Sequence, residues 1–458
     1  MTAMHILGLS ITLLAIVGLS VYSGRSAKKQ AGAGTFLSSG IIMGTLVGGS
    51  STVGTAQLAF HFGMSAWWFT LGGGIACLIL ALFYVKPLKS SGCSTLTSII
   101  NKEYGPRSGM TASVLSSIGT FINILAQLIS ATAIIAVVLP ELHLVPSILI
   151  AAVFMVLYVI FGGTRGSGMV GILKMCLLYV AMVACGGLVL WKSGGLGGFN
   201  DLVNAIPNPE NVPFYSPFAR GIGKDLSACL SLVLGVITTQ AYAQAIFAAK
   251  GAKQARGGAL ISSVLITVMG IGGILVGLYM RATHPDIVAK TALTLFVTEY
   301  MPPLLGGVVL GALFIAAVGT GSGLALGIAT VLRNDVLPRL APKIAEKSTP
   351  RSLERALILL ILVSATLLCL GPLGDMILNF SFLSMGLRGT TVFLPLCCAL
   401  WLPGRIRPGF AMAAIIAGPL VVLVFGLWNV LPFDSLFAGV LATCFIMAAG
   451  WQKKRENL

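Results

Sequence analysis

Apolar runs of about twenty residues follow one another through nearly the whole chain, separated by short polar loops. A helix that crosses a bilayer needs about 20 predominantly apolar residues. Within lipid every backbone polar group must be satisfied internally, which restricts spanning structure to helices and closed barrels. Runs of this length are helical. Only 9% of the 458 residues are charged and 57% are hydrophobic, whereas soluble domains carry about 25% charged residues. The runs place a leading span at 4–22 and ten core spans at 36–63, 65–85, 109–138, 145–163, 166–191, 225–249, 258–280, 303–332, 354–372 and 376–402. Two trailing spans follow at 409–430 and 433–450, for a total of about thirteen. The chain reads as an all-α polytopic membrane protein. The first run is too long for a signal-peptide core and reads as a retained span.

The net charge of +16 would suggest a nucleic-acid partner on a soluble chain. Here the bases lie in short loops. Of the 29 Lys and Arg residues, twenty-two fall on one side of the expected spans. Five, Lys192, Arg220, Lys224, Arg281 and Lys290, fall on the other, and Lys174 and Arg388 fall inside spans. The bias predicts an N-terminus outside and a cytoplasmic C-terminus, in the inner or plasma membrane. The expected partner is the lipid bilayer and not nucleic acid. The nine cysteines form no CxxC pair and read as small apolar packing residues. No nucleotide-binding, hydrolase or zinc-protease motif occurs, and the histidines sit near span ends. The chain reads as neither an enzyme nor a cofactor protein.

The first core span carries GTLVGGSSTVGT at 44–55. Glycine costs a helix interior about 1 kcal/mol relative to alanine, so this span weakens its own middle. One reading is a broken helix whose freed carbonyls meet a cation and whose half-helix N-terminus faces a solute. The other is close packing through small residues.

Five stretches carry a family resemblance. They are GTLVGGSSTVGTAQLAFHFGMSAWW, STLTSIINKEYGPRSG, YVIFGGTRGSG, TTQAYAQAIFAAKGAKQAR and AAVGTGSGLALGIATVLRND, in order from about residue 20 to 405. The chain resembles the sodium:solute symporter family. The resemblance implies two inverted five-helix repeats with broken helices, and an ion and a solute bound at mid-membrane. The repeats would occupy 36–192 and 225–402, with 1–35 as leading helix and inner loop. An outer loop would cover 193–224, and two trailing helices and a basic tail 403–458. The resemblance implies sodium ligands at the carbonyls of Gly44, Val47 and Ala316 and at positions 319 and 320. Thr320 keeps its hydroxyl. Gly319 stands where the family has serine, and nearby Ser322 would partly compensate. Counted from the Gly162–Gly163 turn, the family's carboxylate position is Gly171, and its glutamine three residues on is Lys174.

Lys174 lies roughly 13 Å deep at 1.5 Å per residue, where a charge costs about 2.5–3.5 kcal/mol on insertion scales. It either snorkels to the inner surface or serves at the ion site. There it would replace sodium or cycle a proton. Arg388, in SMGLRGTTV, lies near mid-membrane with no Asp or Glu deep in any span. It either meets a solute carboxylate or binds backbone carbonyls. Ser50, Ser51, Thr52, Gln127, Gln240 and Gln244 are the further candidate solute contacts. Asn123, Thr239, Asn379, Ser381 and Ser384 are weaker ones. The expected function is sodium-coupled symport of a small polar, carboxylate-bearing solute by alternating access. The alternative is proton-coupled or sodium-independent transport of the same solute class through Lys174. Less favoured is a membrane sensor, for which a partner chain would have to supply a signalling module.

Overall fold

The computed structural model describes residues 2–26, 34–207, 211–342, 350–371, 377–428 and 435–453, without the side chains of 17, 19–26, 160–170, 350–351 and 427–428. Helices in chain order are α1 (Ala3–Ser26), α2 (Thr35–Leu46), α3 (Thr55–Phe62), α4 (Trp67–Ile79), α5 (Leu96–Tyr104), α6 (Pro106–Val138), α7 (Leu144–Lys192) and α8 (Ile222–Ile237). Then come α9 (Gln240–Ala248), α10 (Ala252–Thr283), α11 (Pro303–Val331), α12 (Pro350–Cys369), α13 (Ile377–Trp401), α14 (Pro408–Trp428) and α15 (Ser435–Ala449). Short helices fill the loops between them. No strand forms among the described residues, where the one bridge joins Ile406 to Trp451. Among the described residues, eight helices are long and apolar enough to cross a membrane, or nine with one bent pair counted as a span. Four shorter apolar helices accompany them.

The glycine-rich run is a break. α2 ends at Leu46, and Val47 turns extended with φ −85° and ψ 103°. A π-turn at Ser50–Gly54 leads into α3. α3 stops at Gly63, whose φ of +57° suits glycine. A Cβ there would lie 2.1 Å from the Phe214 carbonyl oxygen. The second break separates α8 from α9 at Thr238–Thr239, where the axes bend by 45°. The two breaks fall in the first span of each expected repeat.

The fourth and fifth expected spans differ from expectation. They belong to one helical element, Leu144–Lys192, with apolar stretches at Leu144–Val159 and Gly171–Lys192. Helical hydrogen bonding runs through the Gly162–Gly163 turn, whose surroundings lie outside the described side chains. Glycine weakens a helix without forbidding it.

Around the first break the core is tight. α11 packs along α1, α6 and α7, and α2 lies between α7 and α10. The α1–α11 contact is backbone on backbone. A Cβ at Gly8 would be 2.3 Å from the Leu304 oxygen, and one at Gly307 would be 2.1 Å from the His5 oxygen. Small residues four apart let membrane helices approach in this way.

Candidate functional site

Ending α2 at Leu46 frees the carbonyls of its last turn. The Thr320 hydroxyl on α11 donates to Val47 O at 3.1 Å. Lys174 Nζ on α7 donates to Gly44 O at 2.7 Å and to Thr320 Oγ1 at 2.9 Å. Lys174 is 1% exposed and Thr320 2%, so the lysine does not snorkel to the surface. Ala316 is fully buried one turn before Thr320. At Gly319 a Cβ would lie 3.2 Å from the Tyr158 hydroxyl oxygen, so the tyrosine stands beside the missing serine. Ser322 does not make up the loss, because its hydroxyl donates to Met155 O at 2.8 Å, on α7. An ammonium and a sodium ion sharing one carbonyl would be about 4 Å apart. Their repulsion is then about 4 kcal/mol at an effective dielectric of 20.

Next to these contacts, Gln127 on α6 is bonded to the break. Its Oε1 accepts from Gly49 N at 2.9 Å, and its Nε2 donates to Ser50 Oγ at 2.8 Å. Ser50 and Ser381 share a 2.7 Å hydrogen bond, and Ser381 donates to Asn123 Oδ1 at 3.1 Å. These residues form one chain of polar contacts.

Ser51 and Thr52 are turned away from it. Both donate to Gly48 O, at 3.0 and 2.9 Å, and Gly48 N donates back to Ser51 Oγ at 2.9 Å. They close the break's own backbone. Gln240 is also elsewhere. It accepts from Leu96 N at 2.9 Å and donates to Ser94 O at 3.1 Å, holding the start of α5. Asn379 is exposed.

Arg388 is fully buried. Its Nε donates to Ser384 O at 3.1 Å and its Nη1 to Thr239 Oγ1 at 2.6 Å. Nη2 has no hydrogen-bond partner among the described residues, and no carboxylate pairs with the guanidinium there. Ser384 donates to Gly119 O at 2.5 Å, on α6.

A cavity of about 400 Å³ reaches the break. Gly44, Tyr158 and Gly319 line its deep end, Gln244 and Thr330 its wall, and Arg333 and Glu354 its mouth. Groups the sequence did not flag form a separate cluster. Arg220 Nη2 pairs with Asp225 Oδ1 at 2.7 Å, and Ser65 donates to that oxygen at 2.5 Å. The guanidinium lies 5.4 Å from the Phe382 ring centre, and Phe382 meets Phe69 edge-on. The cue available was a base and an acid five residues apart in Arg220–Asp225. Asp335, quoted only as the end of a motif, accepts from Thr95 at 3.0 Å, Thr97 at 2.7 Å, Ser98 at 3.1 Å and Ser113 at 3.4 Å.

A family model described as "Sodium:solute symporter family" matches residues 32–418. The chain belongs to this family. Within it, the chain is 27% identical to the "Uncharacterized symporter YwcA" of Bacillus subtilis, covering 73% of this chain and 69% of that protein. It is 22% identical to the sodium/pantothenate symporter of Escherichia coli, covering 97% and 95%. It is 23% identical to the human high affinity choline transporter 1, covering 82% of this chain and 66% of that protein. The solved structure of a Na+-coupled sialic acid symporter superposes with a TM-score of 0.75 at 17% identity, covering 98% and 97%. That likeness carries the symporter fold. The family is one of transporters, and its fold is helical and membrane-spanning.

Proposed function

We propose that this family member carries a small polar, carboxylate-bearing solute across the membrane by alternating access. The observation that carries the reading is Arg388. A fully buried guanidinium with one amino group unbonded is costly to keep unless something anionic meets it in the transport cycle. Arginine also matches a carboxylate in its two-pronged geometry. The polar chain through Ser50, Gln127, Ser381 and Asn123 would contact the rest of the solute, with Gln244 on the path out. Two relatives are named for pantothenate and sialic acid, both carboxylates. Choline, named for others, is a cation that a buried guanidinium repels. On the orientation that the charge bias predicts, Arg333 and Glu354 at the cavity would face the cytoplasm, which supports an inward-open conformation.

Sodium is the coupling ion that the family resemblance brings. Sodium-independent or proton-coupled transport is the second reading, and the two bonds of Lys174 favour it. The test is uptake into proteoliposomes of pantothenate, sialic acid and choline, with a sodium, potassium or proton gradient. A carboxylate should enter and choline should not. Arg388→Ala and Arg388→Lys should each lower kcat/KM at least about tenfold, equivalent to about 1.4 kcal/mol. Normal uptake by Arg388→Lys would remove the reading, since lysine cannot supply the two-pronged contact.

A further inference from the structure

Three residues depart from the family pattern, Gly171, Lys174 and Gly319, and the fold puts them side by side. Gly171 lies directly on α2. A Cβ there would be 2.2 Å from the Gly40 oxygen and 3.3 Å from the Gly44 Cα. A glycine lets α7 come this close, and a carboxylate side chain at 171 has no room. A helical turn is 3.6 residues, so position 174 leaves α7 on the same face, level with the end of α2. There Lys174 meets Gly44 O and Thr320 Oγ1. Gly319 in turn lets Tyr158 stand close beside α11, with its hydroxyl oxygen 3.2 Å from where a Cβ would be.

Each departure takes something from a sodium ion and suits an ammonium. The family's carboxylate is gone from 171 and its first hydroxyl from 319. Of the four ligands that remain, Gly44 O and Thr320 Oγ1 are bonded to Nζ, Val47 O accepts from the Thr320 hydroxyl, and the Ala316 carbonyl is left. Sodium is a hard cation that depends on the number of oxygens around it, and here two of the four are taken by the ammonium. The elements that supply those oxygens, α2 and α11, contain no charged residue that would offset a second positive charge.

We propose that Lys174 is the resident cation of this site, standing where the family binds sodium, and that sodium does not bind there. Gly171 and Gly319 are positioning residues for it: one admits α7 to α2, the other admits Tyr158 beside α11. Calling this place an ion site rests on the transport reading. The test uses no solute, so a wrong solute and a wrong ion fail separately.

The purified protein is melted in sodium chloride and in potassium chloride at equal ionic strength. A ligand raises the midpoint only if the native state binds it. The wild-type protein should therefore show no sodium-dependent rise that Thr320→Val removes. Such a rise would overturn the proposal. The double variant Lys174→Ala with Gly319→Ser removes the tethered charge and supplies the missing hydroxyl. It should melt several degrees higher in sodium than in potassium. Equal midpoints in a cooperatively melting double variant would also overturn the proposal. The wild-type comparison stands whether or not the double variant folds.

Discussion

Single side chains at the break divide into those facing the site and those facing the backbone. Ser50 is bonded to Gln127 and Ser381, whereas Thr52 is bonded to Gly48 O. Thr52→Val keeps the shape and loses about 1 kcal/mol of hydrogen bonding. It should lower the melting midpoint and leave the KM of the transported solute unchanged. Ser50→Ala should raise that KM. A KM unchanged in both variants would remove Ser50 from the solute path. Much at this scale was legible. The family resemblance put Gly44, Val47 and Thr320 at one place, depth left Lys174 either there or at the surface, and all four lie in hydrogen-bond contact. What was not legible was direction. Whether a hydroxyl at 51 or 52 points out or back depends on the extended backbone at Val47, which no pattern of residue types encodes. Tyr158 was missed for a similar reason: a glycine at 319 announces a missing side chain, not what stands beside it.

Elements here are joined at their ends by polar clasps. Asp335 follows α11 and accepts from three residues at the start of α5 and one on α6. Lys89 donates to the carbonyls of Phe247 and Ala249 at 3.0 and 2.6 Å, at the end of α9, where a helix favours a cation. Asp335→Ala orphans the hydroxyls that the carboxylate collects. A bond to a charged group is worth about 1.5–3 kcal/mol, so the loss should free the segment before α5. Limited proteolysis between Ser90 and Thr95 should speed up several-fold, and an unchanged cleavage rate would mean that the clasp holds nothing. The spans themselves were readable from hydropathy alone, because length and apolarity decide what crosses lipid. The bend at Thr238–Thr239 was not, since neither residue is a glycine or proline and the break is held by the helices around it. The helical run through Gly162–Gly163 shows the converse: residues that permit a turn do not compel one.

At the scale of the whole molecule, the cavity's lining and the Arg220 cluster share no residue, and they meet the bent helix pair on the two sides of the Thr238–Thr239 break, Gln244 on α9 and Asp225 on α8. Arg220, Asp225, Ser65, Phe382 and Phe69 form the cluster, and Arg333 and Glu354 line the cavity. Removing one partner of a buried ion pair costs about 3–5 kcal/mol. Asp225→Asn should therefore shift the protein toward opening at the Arg220 side. On the orientation that the charge bias predicts, the readout is a cysteine at Phe382, labelled by an impermeant maleimide applied outside whole cells. Labelling should be weak in the single Phe382→Cys variant and at least several-fold faster once Asp225→Asn is added. A rate that does not change would take this pair out of the gate. Of this closure only the local Arg220–Asp225 pair had a cue in the sequence, because Ser65 and Phe382 come to it from far along the chain. The tethered ammonium of Lys174 has one more effect at this scale. A dissolved ion occupies a site in proportion to its abundance in the medium, but a charge on a four-carbon stem has a local concentration set by its tether. A carrier holding its own cation would keep its broken helix clasped to α11 in fresh water as well as in brine.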